Sequence, residues 1–213
     1  MNKLDKHFEN WKPETDCVVI GCSPSLKWYD FGKYIDQFST VIRINICLIP
    51  EMFSHTGKKI DIWATTGNDR WDGYNPIDIN TTKEVWTRND GYKKQLTENG
   101  TLNNFRGPLV VMDRGHFHFF GIGLGTGLIT ISNATQKYKK ITIIGHTFYL
   151  ESTDNKCYDF HSELEDEEHK KNRLGHHYGN KYGLKSLKYV TKWISEEKII
   201  LLNPYEYNNL RGV

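Results

Sequence analysis

The residues of this chain with the clearest chemistry form a turn of small residues close to its start. The turn at 21–25 reads GCSPS and lies between a β-branched apolar run at 18–20 and a predicted helix. Small residues let backbone N–H groups and the start of a helix approach a phosphate, where the unpaired donors and the helix dipole favour negative charge. The turn therefore predicts a phosphate-bearing ligand, and a nucleotide is the first one to consider.

This turn is a weak signal by itself. It matches neither the Walker A loop nor the GxGxxG dinucleotide pattern, and an ordinary strand-to-helix connection capped by Ser25 is the alternative. The next predicted strand, however, ends in Arg43-x-Asn45. Since ligands of open α/β sheets bind outside the carboxyl ends of the strands, we expect Arg43 and Asn45 to face the same crevice as the turn.

The composition is that of an ordinary globular protein. The 213 residues are 38% hydrophobic, enough for one sizeable core, and we expect a single domain over 1–213. A formal net charge of +2 does not demand adhesion to nucleic acid or membranes. No apolar run approaches the ~20 residues of a membrane span, and the first residues lack an apolar signal-peptide region. We therefore expect a soluble protein of the cytoplasm, and its oligomeric state stays open.

Predicted strands and helices alternate along the chain. A second small-residue turn, at 125–127, opens an amphipathic segment that leads straight into an apolar strand, as the first turn does. Two polar segments, 67–82 and 89–106, are expected to be surface excursions. The pattern predicts one Rossmann-like α/β domain with a mainly parallel sheet of six to seven strands and helices on both faces. After the first two strands, further strands are predicted at 59–65, 84–87, 108–112, 141–144 and 198–202, and a helix at 182–195.

Three segments, in order, resemble the motifs of sialyltransferases, best those of the compact bacterial type. VVIGCSPSLKWYDFGKYIDQFSTVIRIN is similar to their first nucleotide-binding motif, in which a small turn precedes a helix and the next strand ends in R-x-N. GTGLITISNATQKYKKITIIGHTFY resembles their second motif, and GHHYGNKYGLKSLKYV resembles their final one, a histidine ahead of a helix. The resemblance implies an inverting, metal-independent glycosyltransferase that moves a sugar from a CMP-sugar to an acceptor hydroxyl of a glycan or other molecule.

The resemblance also implies which residues form the site. His177, or its neighbour His176, would be the general base that takes the proton of the acceptor hydroxyl, as an imidazole titrating near neutrality can. Tyr149 and Tyr158 stand where the family places phenols on the donor phosphate. No metal is implied, and no cofactor other than the nucleotide-sugar co-substrate. The nucleotide would be bound by Gly21, Cys22, Ser23, Ser25, Asn45, Thr65, Thr126 and Gly127.

Some positions depart from the family's pattern. Cys22 replaces the usual asparagine of the first turn, and Thr147 replaces the usual aspartate before Phe-Tyr. Thr65 and Thr66 stand where an asparagine would follow the third strand. Because these positions touch the donor in the family, the sequence leaves the identity of the nucleotide and of the sugar open.

Two other functions remain as alternatives. A composition rich in Lys, Asn, Ile and Tyr is common in phage and viral proteins, some of which glycosylate hydroxymethylated DNA bases in the host cytoplasm. The second alternative is a nucleotide-binding module of the same fold that has lost catalysis. A DNA acceptor would need a basic, aromatic surface, for which the sequence offers Lys83, Trp86, Arg88, Tyr92, Lys93, Lys94, Arg106 and Arg114.

The remaining histidines are weaker candidates for functional residues. His116 and His118 stand at alternate positions and, with His161 or His169, would be candidate metal ligands. No further cysteine or carboxylate stands at ligand spacing, so we expect no metal there. His146 follows a strand-end glycine, where it either lines the cleft or is a hydrogen-bonded structural histidine.

Overall fold

The computed structural model describes residues 11–21, 26, 30–45, 50–65, 81–98, 100–102, 105–113, 125–146 and 188–202. Within these ranges the strands are β1 (Cys17–Ile20), β2 (Thr40–Ile44), β3 (Ile62–Thr65), β4 (Glu84–Thr87), β5 (Leu109–Val111), β6 (Ile141–Ile144) and β7 (Ile199–Leu201). The helices are α1 (Gly32–Ile35), α2 (Phe53–Thr56), α3 (Asp90–Glu98) and α4 (Thr126–Lys137), and residues 188–195 are also helical. No helix in this described part is long and apolar enough to cross a membrane.

The seven strands form one sheet in which every neighbouring pair is parallel. Their order is β5-β4-β3-β2-β1-β6-β7, so that β1 lies between β2 and β6. The chain winds outward from β1 to β5 and then returns to the opposite side of β1. This reversal places a topological switch point between β1 and β6, where open α/β sheets form their ligand crevices. The predicted Rossmann-like fold class is confirmed.

Apolar side chains of the sheet are buried on both faces, which explains why the strands are runs of β-branched residues rather than alternating sequences. On one face, Val19 of β1 shares a cluster with Ile131 of α4 and with Trp193 of the helical segment 188–195. On the other face, Val18 clusters with Ile35 of α1. Helices therefore cover both faces, as predicted.

The polar segment 89–106, expected to be a surface excursion, contains helix α3. Asn89 caps the start of this helix, since its Oδ1 accepts a hydrogen bond from the backbone N–H of Tyr92 at 2.9 Å. Leu96 is buried and packs in a cluster with Trp63 and Val85 of the sheet. Helix α3 is strongly polar and Leu96 is its one buried residue, so it lacks the apolar residues from which a core-facing helix is predicted.

Arg43 does not face the crevice, so this prediction is wrong. Its side chain is fully buried, and Nε donates to the carbonyl of Lys59 at 2.7 Å while Nη2 donates to the carbonyl of Thr56 at 2.6 Å. Side chains alternate along a strand, and Arg43 shares a face with Val41, on the side that carries α1. The guanidinium therefore fixes the chain after α2, and its role is structural.

Candidate functional site

The residues that follow three central strands lie at one edge of the sheet. Gly21 follows β1, and its N–H donates to the carbonyl of Ile144, the last residue of β6, at 2.8 Å. Asn45 follows β2, and its N–H donates to the carbonyl of Ala64 in β3 at 2.8 Å. Gly145 follows β6. The sequence predicts that the strands leading to Gly21, Asn45 and Gly145 end at one ligand cleft, and the structure confirms that these three residues lie at the same edge.

Gly21 and Gly145 approach each other so closely that neither can carry a side chain. An ideal Cβ on Gly21 would lie 2.1 Å from the carbonyl oxygen of Gly145, far inside van der Waals contact. Gly145 itself has a φ of +69°, and a Cβ there would lie 2.7 Å from the side chain of Leu26. The switch point is thus closed by backbone against backbone, an arrangement that only glycine permits.

Asn45 leaves strand β2 in an uncommon conformation and carries a buried acceptor. Its φ is +54°, and its carbonyl accepts a hydrogen bond from Nε1 of Trp63 at 2.7 Å. Its side-chain Oδ1 is buried and has no hydrogen-bond partner among the described residues. Leaving such an acceptor unsatisfied costs ~1–3 kcal/mol. A hydroxyl or amino group of a ligand in the crevice would satisfy it.

The start of helix α4 brings a second set of donors to this edge. Gly125 is the N-cap residue, and as a glycine it has no side chain to accept a hydrogen bond from the N–H groups at the start of the helix. The first N–H groups of a helix have no intrahelical partners. Thr126 is buried, and its carbonyl accepts a hydrogen bond from Oγ1 of Thr130 at 2.8 Å. Gly127 is half-buried beside the end of β2, since a Cβ on it would lie 3.9 Å from Cδ1 of Ile44. This helix start can bind an anionic group.

The imidazole of His146 lies between the two turns. A Cβ on Gly21 would lie 2.8 Å from His146 Cδ2, and a Cβ on Gly127 would lie 3.2 Å from Cε1 of the same ring. Burial lowers the pKa of His146 from 6.5 to about 4, so the ring is neutral at pH 7. The sequence left the place of His146 undecided, and the available signal was its position directly after the glycine that ends a central strand.

The lowered pKa of His146 predicts a loss of stability on acidification. Between pH 6.5 and 4 the unfolded chain protonates this ring while the folded chain keeps it neutral, so the free energy of unfolding falls as the pH is lowered through that range and is unaffected above it. At pH 4.5 the loss should be about 2 kcal/mol. Urea unfolding at pH 4.5 and pH 7 measures it.

His146→Gln, which cannot titrate, is the control for this prediction. All other groups contribute equally to both proteins, so the drop in unfolding free energy between pH 7 and 4.5 should be smaller in the variant by about 2 kcal/mol. Equal drops in the two proteins would show that the folded-state pKa of His146 is not lowered.

The structure describes five of the predicted site residues and brings them to the same edge. Thr65 is the last residue of β3 and is fully buried; the other four are Gly21, Asn45, Thr126 and Gly127, described above. Their contacts with a nucleotide stay predictions. Cys22, Ser23, Ser25, Tyr149, Tyr158, His176 and His177 lie outside the described residues, and their roles stay predictions too.

No three histidine, cysteine or carboxylate side chains in the described ranges converge as metal ligands. The candidate ligands His116, His118, His161 and His169 lie outside those ranges, and Arg114 of the basic set does so as well.

Four described members of the basic, aromatic set do not form one surface for DNA, namely Lys83, Trp86, Arg88 and Lys94. Trp86 is buried in the core at 3% exposure, so it is not available to stack on a base. Lys83 pairs with the buried carboxylate of Asp61 at 2.7 Å, and Lys94 pairs with Glu98 one helical turn away at 3.6 Å. Lys83 precedes β4 and Arg88 follows it, so the two cations lie toward opposite edges of the sheet.

The comparisons with known proteins agree with this geometry. The model of glycosyltransferase family 29 (sialyltransferase) matches residues 2–99. A crystal structure of a mammalian sialyltransferase in complex with Gal-beta-1-3GalNAc-ortho-nitrophenol matches with a TM-score of 0.58 and 13% identity, over 88% of this chain and 68% of that one. A second mammalian sialyltransferase structure matches with a TM-score of 0.57, 13% identity and the same coverage. No curated protein sequence matches the chain.

These findings confirm the predicted resemblance to sialyltransferases. The family model covers residues 2–99, which include β1 to β4 and α3, and the structural similarity extends the shared fold over most of the chain. At 13% identity the solved structures establish the fold alone. Taken with the family match, they support a sialyltransferase-like glycosyltransferase.

Proposed function

We propose that this protein is an inverting, metal-independent glycosyltransferase that moves a sugar from a CMP-sugar to a hydroxyl of a glycan acceptor. The observation that carries the proposal is the meeting of Gly21 and the start of α4 on either side of His146, at the switch point between β1 and β6. Neither Gly21 nor Gly127 carries a side chain there, and the first N–H groups of α4 are the donors that the described residues bring to this point. The match of residues 2–99 to the sialyltransferase family supports CMP as the nucleotide.

The donor is bound by groups that suit each of its parts. Its phosphate lies by the start of α4, where the helix dipole and the first N–H groups of the helix stabilise negative charge. Asn45 Oδ1, which is buried without a partner among the described residues, accepts a hydrogen bond from a hydroxyl of the nucleotide's ribose. Tyr149 and Tyr158 donate their phenolic hydrogens to the phosphate and stabilise the charge that it gains as it leaves.

The reaction is a single displacement at the anomeric carbon of the sugar. The acceptor oxygen forms its bond to that carbon while the bond from the carbon to the phosphate oxygen breaks, so the configuration inverts. His177 takes the proton of the acceptor hydroxyl as the new bond forms. The bonding pair departs with the phosphate oxygen, and CMP is released as an anion.

A glycan is a better acceptor than DNA for this chain. The mammalian sialyltransferase in one matching structure is in complex with Gal-beta-1-3GalNAc-ortho-nitrophenol, which contains a disaccharide. Of the set that would contact DNA, Trp86 is buried, and Lys83 and Lys94 are paired with carboxylates. A neutral hydroxyl acceptor needs no such surface.

The proposal is tested by the effect of nucleotides on the melting temperature of the purified protein. A ligand that binds only the folded state stabilises it by RT ln(1 + [L]/Kd), about 2.7 kcal/mol at a hundredfold excess over Kd. CMP should raise the melting temperature by several degrees, and UDP and GDP should raise it less. A shift with UDP and none with CMP would show that the donor is a UDP-sugar rather than a CMP-sugar. No shift with any nucleotide would contradict the proposal.

Metal independence gives a further expectation. Because helix donors and phenols would balance the phosphate charge, adding EDTA should leave the rate of CMP release from a CMP-sugar unchanged within twofold. The rate is measured before and after dialysis against EDTA, with added Mg²⁺ or Mn²⁺ as the control. Loss of turnover on chelation and its recovery with either metal would show that the enzyme is metal-dependent.

A further inference from the structure

We propose that His146 is a positioning residue for the donor: its imidazole sets the separation between Gly21 and the start of α4 at Gly127, and thereby the width of the phosphate-binding crevice. This inference rests on the function proposed above. It extends that function, because neither the predicted nucleotide contacts nor the proposed displacement assigns any role to His146.

The contacts of the ring show how it separates the two turns. The Cδ2 side of the ring faces Gly21 and the Cε1 side faces Gly127, at 2.8 and 3.2 Å from the Cβ positions that these glycines lack. Nε2, which joins Cδ2 to Cε1, is buried. The far end of the imidazole is therefore inserted between Gly21 and the start of helix α4.

The ring of His146 fits closely against both Gly21 and Gly127. A Cβ at Gly21 or Gly127 would press on the ring, so glycine at both positions makes room for His146 as much as for a ligand. Removing the ring opens a gap between Gly21 and Gly127, which then move toward each other or lose their fixed spacing. Hydrogen bonds from N–H groups to oxygen need separations of 2.7–3.2 Å, so a shift of a few tenths of an ångström weakens those made to a phosphate.

The ring acts through its shape rather than its charge. Burial lowers the pKa of His146 to about 4, so the imidazole between the turns is neutral at pH 7 and brings no positive charge to a phosphate. Its effect on the donor passes through the two backbone segments that it holds apart. Titration of the ring near neutral pH is not needed for this role.

The test is the Kd of CMP at pH 7, measured by calorimetry on wild type, His146→Ala, Gly127→Ala and the double variant. Cys17→Ala is the matched control, because Cys17 is fully buried at the amino end of β1, roughly 13 Å along the strand from Gly21. His146→Ala should weaken CMP binding at least tenfold and Gly127→Ala at least threefold, whereas Cys17→Ala should stay within twofold of wild type.

The double variant distinguishes a role of His146 in the separation of Gly21 from α4 from a general loss of structure. The methyl group of Ala at 127 partly fills the gap left by the missing ring, so the double variant should bind CMP at least threefold more tightly than the product of the single effects predicts. A single effect of His146→Ala within twofold, or multiplicative effects in the double variant, would overturn the inference. If His146→Ala does not fold, unchanged CMP affinity in Gly127→Ala overturns it. Failure of the wild type to bind CMP would instead refute the proposed donor.

Discussion

His177→Ala is expected to lower kcat by ~10²–10⁴-fold, the range that a positioned general base contributes. A hydroxyl that attacks an anomeric carbon must lose its proton as the bond forms, and without the imidazole only water is left to take it. The donor does not need this base in order to bind, so the Kd of CMP should stay within twofold of the wild-type value. Steady-state transfer to an acceptor and calorimetric binding of CMP measure the two effects separately.

His176→Ala is the control for this prediction. It removes an imidazole from the neighbouring position, and it should affect CMP binding or the turn more than the chemical step. Near-wild-type turnover in His177→Ala would refute the assignment of the base. If both variants keep full turnover, the base lies elsewhere, and the resemblance to sialyltransferases is then one of fold alone.

Gly21→Ala should have the second-largest effect. Its Cβ would lie 2.1 Å from the carbonyl oxygen of Gly145 and 2.8 Å from the carbonyl carbon, and backbone atoms cannot move aside as a side chain can. Forcing extra volume into a packed site costs ~1–3 kcal/mol or more, so we expect unfolding free energy to fall by about 3 kcal/mol. CMP binding should weaken at least tenfold, because the strands on either side of the crevice are pushed apart.

Gly91→Ala is the matched control for Gly21→Ala. Gly91 lies in the first turn of α3, and its Cβ would meet only Oδ1 of Asn89 at 3.2 Å. Alanine favours a helix over glycine, but the close contact with the capping oxygen of Asn89 offsets that gain, so this variant should keep the wild-type stability within about 1 kcal/mol. Urea unfolding of both variants gives the comparison. Equal stability of Gly21→Ala and wild type would show that β1 and β6 are not as close as the structure places them.

The sheet could be predicted because its strands are buried on both faces. Runs such as 18–20 and 141–144 are continuous and β-branched, and β4 was predicted with its exact residues at 84–87. Parallel order also followed, since each strand was separated from the next by a segment long enough to cross the sheet. Helix α3 is not evident from the sequence, because its residues are mostly polar and Leu96 is its one buried side chain.

The candidate site could be predicted in part. Gly21, Asn45 and Gly145 follow predicted strands, and parallel strands bring their carboxyl ends to one edge. Arg43 was misplaced because it stands one residue inside β2, where alternation turns its side chain to the face of Val41. Asn45 escapes that alternation, since its φ of +54° takes it out of the strand conformation. The contact of His146 with both turns depends on tertiary packing that no spacing in the sequence encodes.

The central claim is that this chain transfers a sugar from CMP, and the release of CMP from a CMP-linked sugar by the purified protein tests it most directly. Transferases commonly hydrolyse their donor slowly when no acceptor is present, so the test needs no knowledge of the acceptor. CMP-, UDP- and GDP-sugars are incubated in parallel, and the free nucleotide is measured over time. The account predicts steady release of CMP that His177→Ala reduces and EDTA does not. Release of no nucleotide by folded protein, or of UDP or GDP alone, would contradict it.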